Sequence, residues 1–289
     1  MSAVDRATPL DRLRARIERL GAPLCVGIDP HPDALPAGLS GVDGIERFAR
    51  GLVEATAETA AALKINVAFF EAFGSAGLAA LERVRADVPR DSFLVLDAKR
   101  GDIGSTAERQ AEALLGHLAA DAVTLSPYLG EDAIEPFLAF EDRVVYVLAR
   151  TSNPSAGVVQ DLVTEGVPLY RRVAQWVVER WPDPRVGLVV GATAPDELRA
   201  LRAHVPDPGF LVPGVGAQGG DLMAAVESCA GRRAPGLVNL SRAIAGASRG
   251  ADWQVAAGLA AERVRDEMRA GGATLDGRAR PPSPAAHRL

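Results

Sequence analysis

The chain is expected to fold as an α/β protein, a (β/α)8 TIM barrel in a single domain. Three observations carry that expectation. Eight short apolar runs punctuate the sequence. Their starts lie about 30 residues apart, the length of one βα unit. Stretches with helical periodicity fill the intervals. An open doubly wound sheet produces the same alternation and is the competing architecture.

Taken in order, an amphipathic stretch at Leu10–Leu20 precedes the first strand and is placed as a helix closing the barrel bottom. The eight runs are Leu24–Ile28, Leu63–Val67, Phe93–Leu96, Ala122–Leu125, Val144–Leu148, Gly187–Val190, Phe210–Val212 and Leu237–Leu240. Each is nearly continuous in apolar residues, as parallel strands covered on both faces require. Helical patterns include Gly44–Ala62, Thr106–Ala120 and Leu169–Glu179. Ser105-Thr106-Ala107-Glu108 reads as a capping box opening the second of these. The connection Ser155–Leu169 is long and its role is open. Residues 1–270 are assigned to the barrel, and 271–289, rich in Gly, Pro, Ala and Arg, to a disordered tail.

Composition narrows the function. The net charge of −5 leaves no basic surplus for gripping a phosphate backbone, so nucleic acid is not expected as a partner. Two cysteines, Cys25 and Cys229, exclude a disulfide scaffold or a four-cysteine zinc site, and both read as buried small hydrophobes. His31, His117, His204 and His287 share no metal spacing, so no metal is expected. The charged N-terminus lacks the apolar core of a signal peptide, and no run reaches the roughly 18 apolar residues of a membrane span. A cytoplasmic protein without membrane contact is expected.

One count stands out. Of 32 basic residues only two are lysines, Lys64 and Lys99. A GC-rich genome accounts for the bias but not for where the two remain. Arginine replaces an exposed lysine at little cost, but it cannot supply a compact ammonium or release a proton. Both lysines are placed at one rim of the barrel, where barrel enzymes carry their chemistry.

Charged and polar residues gather at the strand ends. The first strand runs into Asp29 and the second contains Lys64. The third ends in LVLDAKRGDIGST, which carries Asp97, Lys99 and Asp102. Residues i and i+2 of a strand share a face, so Asp97 and Lys99 are expected to project together at the mouth. The fifth strand leads to Ser152, the seventh to PGVGAQGGD and the eighth to Ser241 and Arg242. Barrels often bind phosphate between the loops after strands seven and eight. There the glycine-rich loop lets backbone N–H groups approach a phosphate, and Arg242 adds a two-pronged cation. The same loop spells GVGAQG, a dinucleotide-binding pattern. However, it follows the seventh strand rather than the first, and the next strand offers no acidic residue for a ribose.

The stretch LVLDAKRGDIGST resembles the motif of the orotidine 5′-phosphate decarboxylase family, most closely its longer bacterial branch. VGIDP, KINVAFFE, TLSPYLGEDAIEPF, RTSNPSAG, PGVGAQGGD and SRAI extend the resemblance over residues 26–244. It implies decarboxylation of orotidine 5′-monophosphate (OMP) to UMP without a cofactor. In that reading Lys99 stabilises and protonates the C6 carbanion, Asp97 lies beside the departing carboxylate, and Lys64 and Asp29 bind the ribose. Ser152 meets the pyrimidine edge, while Gln218, Arg242 and the backbone near Ser241 hold the phosphate. The resemblance further implies a homodimer in which Asp102, Ile103 and Thr106 reach the partner's site, Asp102 completing a Lys–Asp–Lys–Asp array. Two rivals stand beside this. A Mg²⁺-assisted sugar-phosphate enzyme on the same barrel would need a carboxylate near Lys64, with Glu71 the nearest. A catalytically inactive, ligand-binding barrel would not need the complete charge array.

Overall fold

The computed structural model describes residues 7–216 and 219–271. The expected tail beyond residue 271 and the proposed phosphate ligand Gln218 lie outside the described residues. Eight parallel strands close into a barrel in sequential order: β1 (Leu24–Ile28), β2 (Ala62–Asn66), β3 (Phe93–Arg100), β4 (Ala122–Leu125), β5 (Val144–Arg150), β6 (Val186–Val190), β7 (Phe210–Val212) and β8 (Leu237–Leu240). Pairing of Leu24 with Val238 and of Cys25 with Asn239 seals β1 to β8. A closed ring excludes the doubly wound alternative.

The apolar residues divide into two clusters for a geometric reason. Strand residues alternate faces. One set meets the surrounding helices, joining Val26, Leu63 and Leu96 to helical residues such as Phe48, Leu52 and Leu81. The other points inward, where Cys25, Phe93, Val95, Tyr146 and Leu237 stack on one another. Helix α1 (Pro9–Leu20) plugs the lower end of that inner stack with Leu10, Leu13, Ile17 and Leu20, as expected. Full burial of Leu13 and Ile17 contributes about 1.5–3 kcal/mol each. Thr8 caps this helix in a reciprocal box with Asp11.

Three expectations need correction. The first long helix, α2, spans Gly41–Thr56 rather than running on to Ala62. Thr56 turns its hydroxyl back onto the Leu52 carbonyl at 2.7 Å, and Ala62 already belongs to β2. The next helix on that side, α3 (Gly74–Asp87), leads into β3. Helix α4 (Gly104–Ala111) has Ile103 at its N-cap with no side-chain cap bond, so Ser105 does not open a capping box. From Glu112 to His117 the chain widens into a π-helical turn. The connection after β5 contains a helical turn, Gly157–Gln160, and a small hairpin pairing Thr164 with Val167. It is tied back to the barrel rim: Gln160 bonds the Thr151 N–H at 2.9 Å and the Thr151 hydroxyl at 2.7 Å. The remaining long helices are α5 (Leu169–Arg180), α6 (Pro195–His204), α7 (Leu222–Ser228) and α8 (Trp253–Ala270).

Candidate active site

The C-terminal ends of the strands surround a cavity of about 920 Å³. Asp29, Lys64, Asp97, Lys99, Ser152, Ser241 and Arg242 all line it. The two lysines and Arg242 therefore share one mouth.

The charged centre is built by β2 and β3. Lys64 projects from β2 and is 4% exposed, and its Nζ lies 2.9 Å from Asp97 Oδ2 and 3.6 Å from Asp29 Oδ1. Lys99 Nζ approaches the other oxygen of Asp97, Oδ1, at 2.5 Å. One carboxylate thus bridges both lysines of the chain. Burial disfavours charge on Lys64, but Asp29 and Asp97 outweigh it and hold the ammonium above the ordinary lysine range. Burial likewise opposes ionisation of Asp97, yet Lys64 and Lys99 hold its carboxyl well below the usual carboxylate range. Both groups are charged at neutral pH.

Asp97 and Lys99 meet, but not through regular strand alternation. Leu96 pairs with Val123 and the next paired residue, Arg100, with Leu125, so β3 bulges by two residues against β4. Within the bulge Lys99 has φ +45°, a left-handed conformation that costs a non-glycine residue about 1–3 kcal/mol. The bulge, not the pleat, brings the two charges together.

On the other side of β1 from Lys64, Gly27 allows the end of β8 to press against β1. A Cβ there would stand 1.9 Å from Ser241 Oγ. Arg242 begins a short helical turn, Arg242–Ala245, beside the loop that follows β7. In that loop Gly214, Gly216 and Gly219 all adopt positive φ. The Gly219 and Gly220 N–H groups bond Gly216 and Gly214 carbonyls at 2.7 and 3.1 Å, so these two close the loop on itself.

Asp102, Ile103 and Thr106 stand apart from this group. They do not line the cavity, and among the described residues Asp102 bonds only the adjacent Ile103 N–H, at 2.9 Å. Within one chain the array is therefore Asp29–Lys64–Asp97–Lys99. Glu71, the alternative metal-ligand candidate, is ion-paired to Arg100. Among the described residues, no three His, Cys, Asp or Glu side chains gather closely enough to hold a metal ion. Cys25 and Cys229 are buried, and burial pushes both thiols up to about 12.

Among the polar cavity-wall residues that sequence reasoning missed, Thr124 of β4 and Asn239 of β8 are the two that lie within barrel strands and out of solvent. Both are buried, and among the described residues Asn239 Oδ1 has no hydrogen-bond partner. Each is the lone polar residue of an apolar strand, AVTL and LVNL, and that was the available signal.

The sequence profile of the orotidine 5′-phosphate decarboxylase / HUMPS family matches residues 22–254. The chain belongs to this family. Orotidine 5′-phosphate decarboxylase of Roseiflexus castenholzii is 50% identical over 251 residues, covering 86% of this chain and 92% of that one. The structure of Leishmania donovani OMP decarboxylase superposes with a TM-score of 0.77 at 39% identity, over 91% of this chain and 99% of that one. L. donovani UMP synthase gives a TM-score of 0.77 at 42% identity over 90% of this chain, which spans 56% of that longer protein. As a member of the decarboxylase family, the chain is an enzyme of the lyase class.

Proposed function

We propose that this enzyme converts orotidine 5′-monophosphate to UMP and CO₂, the last step of de novo pyrimidine nucleotide synthesis. The observation that carries the reading is the bridged pair Lys64–Asp97–Lys99 sharing one cavity with Arg242.

Breaking the C6–carboxylate bond leaves an electron pair in the ring plane, outside the π system. Fixed charges in a sheltered site are then the means of stabilising it. Lys99 places its ammonium at C6, lowers the energy of the carbanion and donates a proton to it; solvent then restores the ammonium. Arginine would supply charge there but would be a very poor acid. Asp97 sits beside the departing carboxylate and aims both lysines. Lys64, held charged by Asp29 and Asp97, binds ribose hydroxyls together with Asp29. Ser152 reads the pyrimidine edge. Gln218, Arg242 and the backbone at Ser241 grip the phosphate, whose binding energy can favour closure of the site around the reacting atoms. No metal or organic cofactor takes part in this scheme.

The enzyme acts as a homodimer, with Asp102, Ile103 and Thr106 completing the partner's site. In support, the loops after the neighbouring strands β3, β4 and β5 present apolar side chains outward, with Ile103 48%, Tyr128 86% and Val158 74% exposed. A second copy would cover such a patch. The cytoplasm is the proposed location; no described helix is long and apolar enough to cross a membrane.

The test is a spectrophotometric assay with orotidine 5′-monophosphate, run with and without EDTA. Loss of the orotate absorbance at the same rate in both is expected. Absence of turnover, or turnover that chelator abolishes, would overturn the proposal.

A further inference from the structure

The bulge that carries Asp97 and Lys99 needs something to hold it. Bulged residues lose their ladder partners, and two N–H groups, those of Ala98 and Lys99, are displaced where β3 skips from Leu96 to Arg100. Both donate to the same atom, Thr124 Oγ1, at 3.1 and 3.0 Å. The hydroxyl in turn donates to Asp97 Oδ1 at 2.9 Å. A hydroxyl has one hydrogen and two lone pairs, so this one is fully used. Thr124 is 1% exposed, and water has little access to replace it. The Lys99 side chain, by contrast, is about half exposed and has its ion pair to Asp97 as its one polar contact among the described residues. Its aim is set by its own backbone and by Asp97, and Thr124 bonds to both.

We propose that Thr124 is a positioning residue of this site: its hydroxyl clamps the β3 bulge and so holds the Asp97 carboxylate and the Lys99 ammonium at the reacting carbon. The inference rests on the proposed decarboxylase reaction and goes beyond it, to a residue that need not touch the substrate. A valine at this position fills nearly the same volume but leaves two N–H groups unpartnered and removes one of the two hydrogen bonds that Asp97 Oδ1 accepts.

The experiment compares Thr124→Val and Thr124→Ser with the wild-type protein. In Thr124→Val, kcat is expected to fall about 10- to 100-fold while KM stays within about threefold. Thr124→Ser, which keeps the hydroxyl, is expected to remain within about threefold of wild type in both. A second readout does not need turnover. The chain has only two lysines, so peptide mapping after acetic anhydride treatment at fixed pH reports Lys99 directly. Lys99 is expected to label several-fold faster in Thr124→Val than in the wild type or Thr124→Ser. Wild-type kcat and labelling in Thr124→Val would overturn the proposal. Equal impairment of both variants would do the same, because the methyl group rather than the hydroxyl would then matter. A Thr124→Val chain that fails to fold while Thr124→Ser folds would assign the hydroxyl to folding and also overturn it. If the wild type does not turn over orotidine 5′-monophosphate, the proposed function fails, and the labelling comparison still decides the clamp.

Discussion

The two ends of the barrel both bury charge, and they do so differently. At the closed end, Arg16 is 3% exposed and gives its guanidinium to the carbonyls of Ala60 and Ala57 as well as to Asp91. Asp121 accepts from the Leu94 N–H at 2.9 Å and is paired with Arg12 and Arg143. These charges are anchored to the main chain, and they fasten α1 and the strand starts. At the open end, Asp97 is held by side chains alone, those of Lys64, Lys99 and Thr124. Among the described residues, Asp29 Oδ1 and Asn239 Oδ1 are left without hydrogen-bond partners. The difference teaches what each network is for. Side chains bonded to backbone stiffen a fold, whereas side chains bonded to one another, with acceptors to spare, can re-partner with a ligand.

The contrast can be broken at either end. Asp97→Asn should cut kcat/KM by at least about 10³-fold, because it removes the charge that aims both lysines; steady-state kinetics with orotidine 5′-monophosphate measures it. Arg242→Ala, remote from the reacting carbon, should cost about 10²- to 10³-fold in kcat/KM through lost phosphate binding. An unchanged kcat/KM would remove Arg242 from the phosphate site. Arg16→Met should show the opposite pattern, with stability lower by about 2–4 kcal/mol in denaturant unfolding and kcat per folded molecule unchanged. Ile103→Asp should shift the chain toward monomer in sedimentation and lower kcat/KM about tenfold, as burying one charge at an interface would.

The smallest effect is on pH. The Asp97 carboxyl is depressed in the folded state, so the stability it contributes is present above the unfolded carboxylate value, about 4, and is lost as pH falls below it. Lys64 is raised, so its contribution is complete below the unfolded lysine value, about 10.4, and is lost only in stronger alkali. Acid unfolding of Asp97→Asn should therefore be less steep than that of the wild type.

Most of the barrel was legible because each strand is a short apolar run with its own spacing, and a closed parallel ring asks for little else. What was illegible depends on contacts across the ring. The ends of β3 and β5, at Arg100 and Arg150, overran the apolar runs because register shifts extend both strands. The π-helical turn after α4 and the early stop of α2 likewise leave no periodic trace. At the site, the scarcity of lysine pointed to Lys64 and Lys99, and both do meet Asp97. The expected reason, alternation along a strand, was incomplete: a bulge and a left-handed Lys99 bring the charges together. Thr124 and Asn239 escaped notice because a single polar residue inside a strand looks like ordinary tolerance until its neighbours across the barrel are known.

In the proposed reaction the Lys99 ammonium does the chemistry, aimed by Asp97, while the phosphate, ribose and base are bound by other residues of the cavity. Single-turnover decarboxylation by Lys99→Ala, set beside its affinity for UMP, tests this most directly. Turnover is expected to fall by at least about 10⁴-fold in a folded protein that still binds UMP. Turnover within tenfold of wild type in that variant would contradict it.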